Sequence, residues 1–255
     1  MIRLDVATVL LQWAAGGLLF LWVTSRGRAV GIGYGWLLRG IFGAMAIGAA
    51  VIGLRSQSVP VRDFASILTA VAVAVAIVVS IVYRADLAKF PPILDLIGPS
   101  IAAVGLVAGG LDAAHGGSTV AVSVLRVLVG AAFLGAVTDA MLLGHWYLVQ
   151  PGLPRRHLNE LVRLVGWVWP VEIVAMLLPT GMISVWSGAV DDGWKGQLGW
   201  FWAASALATI VLIVVTRAAL RERYYSAVMA ATGLLYLAIL TAFGTDLVAR
   251  AVLAG

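Results

Sequence analysis

Apolar runs of about 20 residues recur along this chain, with only short polar connections between them. An α-helix rises about 1.5 Å per residue, so each run matches the ~30 Å hydrocarbon core of a bilayer. Eight segments qualify, at approximately 5–23, 35–54, 64–83, 93–114, 119–149, 160–183, 197–216 and 226–253. In lipid, every backbone polar group must be paired within its own segment, so such runs read as helices. The expected fold is all-α, a polytopic integral membrane helical bundle in which 1–255 form a single transmembrane domain. Composition agrees: 62% of residues are hydrophobic and 11% are charged, against about 25% charged in a soluble domain. A mean hydropathy of +1.03 leaves no stretch for a sizeable soluble domain. The fourth boundary is the least defined, because Asp112, His115 and Gly116-Gly117 mark a tight turn. The run ending at Val23 carries no small-residue cleavage site, and it reads as a first membrane helix rather than a removable signal.

Basic residues in the connections set the expected orientation. The loops after segments one, three, five and seven hold Arg26, Arg28, Arg84, Lys89, Arg155, Arg156, Arg217, Arg221 and Arg223. The opposite side holds Arg3, Arg55, Arg62, Lys195 and Arg250. The first set is the larger, so those loops are expected in the cytoplasm and both termini on the non-cytoplasmic side. Tryptophans fit the same frame as interfacial anchors: Trp22, Trp36 and Trp146 on the inner boundary, Trp186, Trp194, Trp200 and Trp202 on the outer. Trp13, Trp167 and Trp169 fall deeper. Gly40, Ala44 and Gly48 on segment two, and Gly105 and Gly109 on segment four, have the spacing that lets helices approach closely in lipid. A division into four plus four segments is open, but the halves share no sequence motif.

Several chemistries are excluded. There is no cysteine, hence no disulfide, thiolate metal site or cysteine nucleophile. The net charge of +5 sits mostly in short loops and marks topology, not nucleic-acid binding. Gly31-Ile32-Gly33-Tyr34-Gly35 is glycine-rich but lacks a strand–turn–helix context. The three histidines, His115, His145 and His157, are not paired at matched depth, which disfavours a bis-histidine haem. No metal site is expected from their spacing.

Charged groups inside a bilayer are rare and default to a functional reading. Segment five carries Arg126, Asp139 and then His145-Trp146-Tyr147. The helical period turns Asp139 roughly 120° away from His145, so they do not form a same-face pair. Histidine beside two aromatics suits a quinone, because it can donate to a carbonyl and exchange a proton near neutral pH. The competing reading is an interfacial anchor. Asp139 reads either as a relay or as a structural carboxylate paired with Arg39 or Arg163. Glu172 lies at mid-depth in segment six beside Trp167, Trp169 and Pro170, where a kink is expected to form a pocket wall. Arg126 and Arg39 read as snorkelling residues, with pairing of Arg126 to Glu172 or Asp246 as the alternative. Asp246 and Arg250, four apart, read as a helix ion pair. Asp95 and Asp112 read as helix-end residues.

Eight spans with a His-Trp-Tyr cluster loosely resemble membrane subunits that exchange electrons with quinol, although no defining motif of such a family is present. The expected function is a subunit that holds a quinone or lipid ligand in a respiratory or photosynthetic electron-transfer complex. It would sit in a bacterial cytoplasmic membrane, with lipid and other membrane subunits as partners. The alternatives are a proton-coupled secondary transporter of a small solute using Glu172, Asp139 and Arg126, or a purely structural subunit.

Overall fold

The structure is a computed structural model that describes residues 4–56, 58–86, 90–114 and 119–253. Arg3, Lys89, His115, Gly116 and Gly117 lie outside the described residues. The chain is a helical membrane bundle, and no strand occurs among the described residues. The helices are α1 (Val6–Ser25), α2 (Ile32–Arg55), α3 (Pro60–Val82), α4 (Leu94–Ala113), α5 (Val120–Trp146), α6 (Arg156–Leu177), the single turn α7 (Ile183–Trp186), α8 (Gln197–Ala219) and α9 (Tyr225–Leu253). Seven of them, α1 to α5, α8 and α9, are long and apolar enough to cross a membrane. The more polar α6 runs beside them from one end of the bundle to the other. Its first turns meet α1 through Arg26 and Glu160, and its last carbonyls meet Arg126 at the start of α5.

Local chemistry sets the helix ends. Asp5 caps α1, its Oδ1 accepting from the Thr8 amide at 3.2 Å. Pro60 opens α3, where a missing N–H is harmless. The sixth helix starts a turn earlier than expected and stops at Leu177 instead of continuing to 183. Leu178 precedes Pro179 and is extended, as a residue before proline prefers. Helix α6 remains continuous through Pro170.

Packing divides the bundle into two rings of four helices. In the first, α1 packs on α2, α2 on α3, α3 on α4, and α4 back on α1. In the second, α5 packs on α6, α6 on α8, α8 on α9, and α9 back on α5. The rings join chiefly through α1 and α5, with α4 also on α5. The four-plus-four division left open by the sequence is therefore present in the packing. Lipid offers no hydrophobic drive for helix association, so close contact and polar pairs must hold the join. Gly16 and Gly135 supply that contact. A Cβ on Gly16 would fall 1.7 Å from the Ala131 carbonyl oxygen, and one on Gly135 would fall 2.2 Å from the Gly16 carbonyl carbon. Gly105 and Gly109 also mark a contact, against Ala65 and Thr8. The Gly40, Ala44 and Gly48 stripe does not mark the main contact of α2. Gly40 faces open space, and α2 meets α1 through Phe42, whose ring fills the space beside Gly17. Rows of exposed apolar residues on α3 (Val71, Val75, Val78) and α8 (Leu207, Val211, Val214) form the outer faces of the rings.

Both ends of the described chain lie at one end of the bundle, where Leu4 and Asp5 share a pocket with Arg250 and Leu253. This end is called the terminal face below, and the other the opposite face.

Candidate functional site

Polar groups concentrate at the join between the two rings. Beginning at the terminal face, Asp246 of α9 is fully buried and accepts from Arg250 Nε at 2.8 and 2.9 Å. Gln12 of α1 donates to the same carboxylate at 3.1 Å. Arg250 also donates through Nη2 to the Arg126 carbonyl oxygen. Arg126 is buried and bonds the last carbonyls of α6, with Nε on Ala175 O at 3.1 Å and Nη2 on Leu178 O. These carbonyls lack partners within the helix, so the guanidinium closes the C-terminus of α6. Gly130 makes the cluster fit. A Cβ there would fall 2.3 Å from Arg250 Nη2 and 2.4 Å from both Asp246 Oδ1 and Gln12 Nε2.

Glu172 of α6 faces this cluster. It is fully buried and receives no N–H or hydroxyl bond, but its carboxyl lies within hydrogen-bonding reach of the Asp246 carboxyl, and Arg250 and Arg126 are near enough to act on it electrostatically. Asp139 of α5 is a second fully buried carboxyl, with both oxygens unpartnered. Its closest polar neighbour is Tyr34, whose hydroxyl donates to the Asp139 carbonyl at 3.4 Å. A buried ionisable group without a partner is costly, and Asp139 is one. By helix rise, Asp139 lies about 15 Å further from the terminal face than Glu172. Between their levels stand the Gly16–Gly135 crossing and Trp13, which donates to Thr138 Oγ1 at 2.8 Å and packs edge-on against Phe243.

Each end of the bundle also holds a pocket, although neither Glu172 nor Asp139 lines one. The terminal-face pocket is a cleft open to the exterior, with Arg126, Arg250, Asp5, Thr8 and Ser123 in its wall. The opposite-face pocket is a second open cleft, lined by Tyr34, Arg39, Asp95, Ser25 and Phe90 among others. Tyr34 on the opposite-face pocket bonds the backbone carbonyl of Asp139, and Arg126 on the terminal-face pocket acts electrostatically on Glu172.

The structure revises several sequence expectations. Arg39 does not snorkel. It is buried and forms a two-pronged pair with Asp95, at 2.8 Å from Nε and 2.9 Å from Nη2, while Ser25 adds a third bond to that carboxylate. Asp95 is accordingly more than a helix-end residue, and neither Arg39 nor Arg163 serves Asp139. Arg163 is exposed. Arg126 is buried instead of reaching for headgroups. The Asp246–Arg250 ion pair is present. Trp167 points outward at 70% exposure and Trp169 bonds Ala206 O on α8, so the tryptophans do not wall Glu172.

His145, Trp146 and Tyr147 diverge. His145 is exposed, its Nδ1 3.3 Å from the Tyr236 hydroxyl. Trp146 packs on Tyr34 and donates to Gln150. Tyr147 turns back to donate to Pro154 O at 2.8 Å, and burial pushes its phenol up to about 12. The three do not share a cavity wall in either pocket described above. No group of three or more His, Asp or Glu that could hold a metal occurs among the described residues.

Sequence reasoning missed Gln12, Gly130 and Tyr34 as site residues. Only Gln12 carried a signal, as the one amide within an otherwise apolar first segment. No family model, curated protein or solved structure matches the chain.

Proposed function

We propose that this protein is a proton-coupled transporter of a small solute in a membrane. The observation that carries this reading is the pair of fully buried carboxyls at different levels of the bundle, Asp139 with both oxygens unpartnered and Glu172 facing the carboxyl of Asp246 and the guanidinium of Arg126. Protonatable side chains inside a membrane protein mark ion pathways and proton relays. Two protonation stations separated by a close-packed crossing are what alternating access requires. Glu172 exchanges its proton with the terminal face past Arg126, and Asp139 with the opposite face past Tyr34. The Gly16–Gly135 crossing separates the two stations and serves as the pivot. The paired rings support this, since transporters commonly place their sites between two structural halves that rock against each other.

The quinone and electron-transfer reading rested on a joint His-Trp-Tyr surface, and the divergence of those side chains leaves it with less support. Loss of co-purified quinone in His145→Ala would restore it.

The test uses purified protein in liposomes with a trapped pH dye. Solute gradients from a panel of small anions, cations and sugars are imposed across the membrane. At least one solute should drive proton movement, and Glu172→Gln and Asp139→Asn should each cut that movement at least tenfold. Equal proton movement in wild type and both variants would remove the proposal.

A further inference from the structure

The terminal-face pocket combines a deep positive charge with apolar walls. Arg126 bonds only carbonyl oxygens and makes no carboxylate salt bridge among the described residues. The end of a helix offers about half a negative charge, so the guanidinium is only partly compensated. Arg250 shares the pocket but is matched by Asp246. Val9, Val127 and Met176 supply the apolar wall. Asp5, on the same pocket, is engaged by Thr8 and by Arg62 Nη1, a guanidinium it shares with Asp63, so Asp5, Arg62 and Asp63 carry one net negative charge whichever state Glu172 is in. The charged or titratable groups facing Glu172 are Asp246 and Arg250 from α9 and Arg126 from α5. Helix α8, the other element packed on α6, carries only Arg217 at its far end.

We propose that this pocket binds a small monocarboxylate with an apolar body on Arg126, and that one proton on Glu172 accompanies it. The inference rests on the transport reading and names its substrate class. With Glu172 ionised, Arg126, Arg250, Asp246 and Glu172 sum to zero charge. Protonating Glu172 leaves the four with one excess positive charge beside the pocket. A carboxylate cancels the excess within the four, and a guanidinium fork matches its two oxygens. Binding and protonation therefore favour each other, because each removes the imbalance the other creates. Anion and proton would then enter the protein together as a neutral pair.

The test is calorimetric titration of the full chain in detergent with benzoate, and with benzylamine as a cation of the same shape. Benzoate should bind and benzylamine should not. Benzoate affinity should rise as pH falls from 8.5 to 5.5, with about one proton taken up per ligand, read from buffers of different ionisation enthalpy. Glu172→Gln should bind benzoate at both pH values with no proton uptake. Arg126→Gln should lose at least tenfold in affinity. If Arg126→Gln does not fold, the wild-type and Glu172→Gln titrations decide alone. Binding of neither ligand, equal binding of both, or pH-independent benzoate binding in the wild type would each overturn the proposal. Flux in liposomes separates the two ideas. Proton-linked benzoate binding without any flux removes the transport reading and keeps the site. Proton-coupled flux of a non-anionic solute that Arg126→Gln leaves unchanged removes the site and keeps the transport reading.

Discussion

Arg39 and Asp95 are both buried, and each neutralises what would otherwise be an isolated charge in a low-dielectric interior. Removing one member strands the other. Arg39→Met should therefore destabilise the protein by about 3–5 kcal/mol. The double variant Arg39→Met with Asp95→Asn should recover most of that loss, because no buried charge is left unpaired. Unfolding in mild detergent measures both, and a double variant as unstable as the sum of the singles would contradict the pairing. The sequence showed Arg39 near the inner end of a span and Asp95 near the start of another, where snorkelling and helix-end roles are the ordinary readings. The first ring brings α2 and α4 to opposite sides of one interior, across which the two side chains form a single buried unit, and no local pattern encodes that meeting. Gly130 was illegible for the same reason. Its missing side chain matters only because Gln12, Asp246 and Arg250 converge on it from two other helices. Asp139 and Glu172 were legible, since a carboxylate in an apolar run stands out wherever its helix packs.

At the scale of elements, the long helices follow almost directly from the apolar runs, and the connections do not. The link between α6 and α8 carries the acidic pair Asp191-Asp192, and Asp192 organises it. Its carboxylate accepts the amides of Trp194 and Gly196 through Oδ1, each at 2.9 Å, and of Leu198 through Oδ2 at 3.0 Å. Gly193 and Gly196 take the left-handed conformation that this tight path needs. Burial pushes the Asp192 carboxyl up, but donation from the Gly196, Trp194 and Leu198 amides outweighs it and holds the group below the ordinary carboxylate value. A depressed folded value means the loop's stabilisation is complete above the ordinary carboxylate range and is lost as pH falls below it. Hydrogen exchange of the Trp194, Gly196 and Leu198 amides should therefore be flat from pH 7 to 5, after correction for intrinsic rates, and rise in more acidic solution. Asp192→Asn should show the faster exchange at every pH. Unchanged protection in that variant would show that the loop is held by other contacts.

At the scale of the whole molecule, alternation of the eight long helices forces all odd-numbered connections to one face and both ends of the chain to the other. Arg84, Arg155, Arg156, Arg217, Arg221 and Arg223 gather at the opposite face, together with Arg26 and Arg28. By the positive-inside rule that face is the one expected in the cytoplasm. The proposed coupling needs this assignment, because it makes the Arg126 pocket the entrance for an anion and its proton from outside. A chain with no native cysteine lends itself to a direct check. Single cysteines at Ser56 and Ala189, on the terminal-face connections, should react with a membrane-impermeant maleimide in intact cells. Single cysteines at Arg84 and Arg221, on the opposite face, should react only after permeabilisation. All four positions are exposed, so reactivity reports sidedness rather than burial. The reverse pattern would invert the orientation and turn the Arg126 pocket into an exit. Reaction of Ser56 and Ala189 from different sides would mean that α6 does not complete a crossing. That outcome would break the second ring and remove the structural basis for two opposed carboxylate stations.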